Sequence, residues 1–107
     1  MKGKGIMEKI VREHYSNGKI CSEEYYKESK LHRDNLPATM YYDESGKINS
    51  EGYYKEGKYH RENLPAIISY YKNDKIKYKG YYLYGVKYTD KDIIDNWEAF
   101  CKMQIFR

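Results

Sequence analysis

The chain is short of most of what builds a thick apolar core. Its 107 residues include two phenylalanines, one tryptophan, two cysteines and two prolines. Mean hydropathy is −1.04. No apolar run approaches the length that spans a bilayer, and no signal-peptide core follows Met1. Cys21 and Cys101 cannot make a disulfide framework. An intracellular, reduced, cytoplasmic protein is therefore expected, with both thiols as small, partly buried side chains. Net charge is only +4, from 20 Lys+Arg against 16 Asp+Glu. That is a mixed, mildly basic surface, well short of a nucleic-acid-binding tail. The length allows one domain, residues 1–107. No nucleophile elbow, phosphate loop or carboxylate pair fixed by spacing is present, which counts against an enzyme.

What is abundant is tyrosine, with fifteen. Tyr buries a ring while keeping its hydroxyl near water, and it has high β-propensity. Such a composition suits a thin sheet. The tyrosines are also periodic. Tyr25-Tyr26-Lys27-Glu28-Ser29-Lys30-Leu31-His32-Arg33-Asp34-Asn35-Leu36-Pro37-Ala38 recurs as Tyr53-Tyr54-Lys55-Glu56-Gly57-Lys58-Tyr59-His60-Arg61-Glu62-Asn63-Leu64-Pro65-Ala66. The step from Tyr25 to Tyr53 is 28 residues, and a third copy opens at Tyr81-Tyr82 before decaying. Asn17-Gly18-Lys19-Ile20, Ser45-Gly46-Lys47-Ile48 and Asn73-Asp74-Lys75-Ile76 keep the same step. A fixed period of this size marks a repeat architecture.

The expected fold is mainly β: an antiparallel meander of three 28-residue β-hairpin repeats, 11–38, 39–66 and 67–94, capped by a C-terminal α-helix over 90–102. Turns are expected at 16–18, 44–46 and 73–74, where Asn-Gly and its relatives tolerate positive φ. Residues 1–7 should be a loose start. Strict alternation puts Ala38, Met40, Tyr42, Ile48, Gly52 and Tyr54 on one face, with Ala66, Ile68, Tyr70, Ile76, Tyr78, Gly80 and Tyr82. Gly52 and Gly80, mid-strand, imply close approach by a ring or a bend. Asp90 or Thr89 should cap the helix, with Ile93, Ile94, Trp97, Phe100 and Cys101 on its inner side. Met103 to Arg107 is an apolar tail that folds back or docks on a partner.

His32 and His60 are expected to be structural, bonding turn carbonyls, because no Cys or acid recurs beside them in a ligand pattern. No metal and no cofactor is expected. Arg33 and Arg61 either stack on tyrosines and tie their turns down, or form a ladder for phosphates and carboxylates.

The pattern Tyr-Tyr-x-x-Gly-Lys-x-His, with Asn-Gly-Lys-Ile-x-Ser-Glu upstream, resembles the MORN-type repeat in its bacterial and viral variants, often labelled antitoxin-like. The resemblance covers about residues 13–88. Leu36 and Leu64 stand where the variant has Gly, Ser29 replaces a turn Gly, and the third copy lacks His-Arg. It implies a β-hairpin repeat used as an interaction scaffold. The Lys-, Tyr-, Asn- and Ile-heavy usage suits an AT-rich genome of a bacterium or its phage.

Two functions follow as expectations. The first is a non-enzymatic protein-binding module, a small inhibitor or antitoxin-like protein blocking a nuclease or defence effector, in the manner of a phage anti-CRISPR protein. The second is a nucleic-acid-contacting protein using Lys, Arg and stacked Tyr. The expected contact surface is a polar sheet face with Tyr41, Tyr53, Tyr71 and Tyr81, Lys77 and Lys79 among them, and Arg33 and Arg61 at the loop edge.

Overall fold

In the computed structural model, which describes residues 7–105, ten strands precede two helices. Three long antiparallel hairpins form the frame. They are β1 (Glu8–His14) with β2 (Ile20–Lys27), β4 (Thr39–Tyr42) with β5 (Ile48–Gly52), and β8 (Ile67–Tyr70) with β9 (Ile76–Leu83). They pair side by side in the order β1-β2-β4-β5-β8-β9. The mainly β, antiparallel class expected from the sequence is the one observed.

The tips fall where the turn residues put them. Tyr15, Asp43 and Tyr71 each donate their N–H to the carbonyls of Lys19, Lys47 and Lys75, all at 2.8 Å. Asn17, Asp43 and Asn73 each accept backbone N–H groups of the turn on their own side-chain oxygens. This local bonding is why Asn and Asp favour such turns. Each tip also grips the next: Lys19 Nζ reaches Ser45 O, and Lys47 Nζ reaches Lys72 O.

After each long hairpin comes a short one that the turn signals in the sequence did not place. These are β2 with β3 (Lys30–Leu31), β6 (Tyr54–Lys55) with β7 (Lys58–Tyr59), and β9 with β10 (Val86–Tyr88). Their two-residue turns are Glu28-Ser29, Glu56-Gly57 and Tyr84-Gly85, and all six residues have positive φ. That is the type I′ geometry, whose twist matches a hairpin.

Strict alternation misassigned the faces. Cross-strand partners share a face. Thr39 opposes Gly52 and Met40 opposes Glu51, so Met40 and Gly52 point oppositely. The register then slips between Tyr41 and Tyr42, and again between Ser69 and Tyr70. Each bulge resets the alternation by one residue.

One face therefore carries Tyr26, Tyr41, Tyr54, Tyr78 and Tyr82, with Ser22, Thr39, Ser50, Gly52, Ile67 and Gly80 between them. Tyr59 joins it opposite Tyr54. The other carries Ile10, Arg12, Glu23, Tyr25, Met40, Glu51, Ile68, Lys79 and Tyr81.

The expected single helix over 90–102 is two: α1 (Lys91–Asp95) and α2 (Trp97–Ile105). Asp90 caps α1, accepting from the N–H groups of Asp92 and Ile93. The break sits at Asn96, whose φ of −118° leaves the helical range. Helix α2 takes in residues 103–105 of the expected tail; of the expected loose start, 1–7, Met7 lies outside any element, and residues 1–6 and 106–107 lie outside the described residues. The one core cluster among the described residues is here: Leu83, Trp97 and Cys101, with Tyr81, Tyr88, Ile93 and Phe100 against it. The helices thus cover one face at one end only. The radius of gyration, 15.9 Å, exceeds the roughly 13 Å of a compact chain this long. The thinnest extent is 16 Å, so most of the molecule is a single β layer.

Candidate functional site

The structure divides the eight expected contact residues. Arg33 lies over the Tyr25 ring at 3.8 Å and donates to Pro37 O at 3.3 Å. Arg61 lies over Tyr53 at 3.6 Å and donates to Pro65 O at 3.3 Å. Both guanidiniums are therefore engaged in closing their own loops, the stacking alternative of the sequence reading. The third ring of the series, Tyr81, has no arginine. Trp97 from α2 takes that place, edge-on at 5.2 Å, and its Nε1 donates to Leu64 O. Tyr53 and Tyr81 are thus half-buried, each ring packed against a neighbouring side chain.

Lys79 shares the face of Tyr81, opposite Ile68. Tyr71 and Lys77 lie at the third tip, with the ammonium 5.9 Å from the ring centre. Tyr41 is on the opposite face, across from Ser22 and Ser50. The expected single surface is not one surface, because the bulges reverse the side-chain direction between its members.

His32 and His60 are structural, but as acceptors of amides. Glu56 N–H donates to His32 Nδ1 at 3.0 Å, and Tyr84 N–H donates to His60 Nδ1 at 2.9 Å. The Nε2 atoms meet Asp34 Oδ1 and Glu62 Oε2. An Nδ1 that accepts leaves the ring proton on Nε2, facing the carboxylate. Turn carbonyls, expected as partners, receive nothing from these rings. Between the loops 32–35 and 60–64 runs a groove of about 530 Å³, lined by both His–Arg pairs.

The open face is built differently. Tyr54 and Tyr59 stack at 4.5 Å between centres, and Tyr59 meets Tyr82 at 4.8 Å. The rings lie where the strands carry glycine. A Cβ on Gly52 would meet Tyr54 Cε1 at 3.0 Å, and one on Gly80 would meet Tyr82 Cε1 and Tyr78 Oη at 3.1 Å. This is the close ring approach expected at Gly52 and Gly80. Tyr26 and Tyr41 hydroxyls converge on Glu24, at 3.0 and 3.5 Å. Burial, then the neighbouring Tyr59, pushes the Tyr54 phenol well above its ordinary value. Burial and Glu24 push Tyr41 up as well. With their values raised, the Tyr26, Tyr41 and Tyr54 phenols stay neutral near pH 7 and can donate or accept. The signal that could have found this face is the Gly52/Gly80 pair, read together with the bulge.

Glu23 and Glu51, one 28-residue step apart, differ in the same way. The Arg12 guanidinium at 2.6 Å, with the Tyr42 hydroxyl, holds Glu23 below the ordinary carboxylate value against its burial. Glu51 has no arginine bonded to it, and burial raises it despite the nearby Arg61 charge and a bond from the Tyr53 hydroxyl. No family model matches this chain, nor does any curated protein or solved structure.

Proposed function

We propose that the chain is a non-enzymatic protein-binding module, a small inhibitor or antitoxin-like protein that blocks another protein such as a nuclease or defence effector. This follows the MORN-type, anti-CRISPR-like reading of the sequence, and we place the module in a reducing cytoplasm, where Cys21 and Cys101 stay free thiols. The observation that carries it is the open tyrosine face. Tyr26, Tyr41, Tyr54, Tyr59, Tyr78 and Tyr82 share one side of a single-layer sheet, and the helices pack on the other. Tyr is the residue type that anchors protein interfaces, being rigid, large and amphipathic. The repeating His and Arg side chains are engaged in turns, which speaks against catalysis by them. Glu24, which accepts from Tyr26 and Tyr41 on this face, disfavours a phosphate backbone there.

The test is a pull-down from the native host, then affinity measured with the recovered partner. Tyr41→Ala and Tyr78→Ala, both exposed rings, should each weaken binding by about 2 kcal/mol, roughly thirtyfold. Their melting temperatures should change little. Binding that survives both changes overturns the assignment of the face. Affinity that collapses between 50 and 200 mM salt would instead favour nucleic acid.

A further inference from the structure

Among the described residues, the stacked hairpins end in an unfilled strand position. The return strand β2 receives β4 on its outer side, and β5 receives β8 in the same way. Strand β9 is the equivalent return strand, and after it comes only β10, which pairs with Tyr81–Leu83. Along Ile76–Lys79 the ladder of β9 has β8 on one side, and every residue is exposed.

The polarity of that edge can be read from its predecessors. In the second hairpin Gly52 O accepts from Ala38 on the inner side, while Tyr53 N–H reaches outward to Ala66 O. In the third, Gly80 O accepts from Ala66 on the inner side. Alternation along a strand then turns the N–H and C=O of Lys79 outward. The side chain opposing an incoming residue is that of Glu23 in the first hairpin, facing Met40, and of Glu51 in the second, facing Ile68. Lys79 holds this position in the third.

We propose that this edge captures an extended acidic segment of a protein partner by strand addition, with a Glu or Asp of that segment opposite Lys79. Main-chain bonds supply the affinity of such a strand, and side chains at alternate positions supply the choice of it. Opposite charges directly across a ladder stabilise it and like charges destabilise it. Lys77 and Lys79 therefore repel basic strands and blunt indiscriminate edge pairing. A second copy of this chain is disfavoured by the same rule. Its β1 would enter in the register of β8, setting Val11 where Ile67 lies and Arg12 directly opposite Lys79. Gly80 admits a β-branched residue opposite, as Gly52 admits Ile67. The inference does not depend on the tyrosine face being used.

The test is amide NMR on the full chain with two capped peptides. Both have the sequence of residues 65–71, with Glu or Lys at the Ile68 position. The Glu peptide should shift the amides of Lys77–Gly80, slow exchange at Lys79, and bind at least tenfold more tightly than the Lys peptide. Lys79→Glu, at an exposed position, should reverse that preference. No perturbation at 77–80 in millimolar peptide, or equal affinity for both peptides, overturns the proposal. So does sedimentation showing the wild-type chain self-associating, with amide exchange at Lys79 slowed in the associated form, which would give the edge to a second copy.

Discussion

Glu23 and Glu51 show how one sequence position acquires two electrostatic roles. Both lie in the same row across the sheet, beside Met40. Glu23 is held in its charged form by Arg12 and Tyr42, so its folded pKa lies below the unfolded one. Its contribution to stability is complete above the unfolded value and is lost as pH falls through the folded value. Glu51 is raised by burial, so the sign reverses. Its contribution is present below the unfolded value and is lost as pH rises through the raised one. Glu23→Gln should therefore lower stability at pH 7 by about 1 kcal/mol, a modest figure because Arg12 is half open to solvent. Glu51→Gln should leave stability at pH 7 unchanged or higher. Urea denaturation at pH 7 and pH 3.5 checks both. The cost of Glu23→Gln should shrink in acid, and a cost that persists would mean the carboxylate acts by shape rather than charge.

At the scale of elements, the third hairpin depends on the helices for what Arg33 and Arg61 do elsewhere. Trp97 covers Tyr81, bonds Leu64 O and fills the only core cluster among the described residues. Trp97→Ala should cost about 3–5 kcal/mol, and melting should show β8–β10 loosening with the helices. If the far-UV spectrum and melting point are unchanged, the helices are bystanders.

Much of this layout was legible in the sequence. The 28-residue step, the three tips, the Asp90 cap and the inward Ile93, Trp97 and Cys101 all rest on local rules of turn chemistry and helix spacing. The short hairpins were not legible. At least one strand of each is only two or three residues long, and Glu28-Ser29 carries no glycine to flag the turn. The faces were misassigned because a bulge is a property of a pair of strands, and alternation read along one strand cannot register it. For the same reason the contact residues were chosen from both sides of the sheet. The break at Asn96 had a local signal, Asn being a residue that ends helices, but helical spacing read across it hid the stop.

For the whole molecule, the consequence of a single layer is that neighbouring hairpins hold each other with few bonds. Beyond the β5–β8 ladder, the short hairpins β6–β7 and β9–β10 meet through Tyr84 N–H to His60 Nδ1, Gly85 N–H to Tyr59 O and Arg61 N–H to Tyr82 O. His60 is only 8% exposed. His60→Ala orphans the Tyr84 amide and should cost about 1–3 kcal/mol. Hydrogen exchange should rise across 80–104 while 20–52 stays protected; a uniform rise would mean the layer opens as one unit.

The bonds of the short turns also have a direction. Glu28 N–H is received by Met7 O, Glu56 and Gly57 by His32 and Leu31, Tyr84 and Gly85 by His60 and Tyr59. Every acceptor comes earlier in the chain than its donor. A polypeptide leaves the ribosome N-terminus first. Each new turn therefore emerges to find its acceptors already in place, and no hairpin has to wait for a later one to complete its turn. Assembly during translation can proceed as a zipper closing behind the growing end.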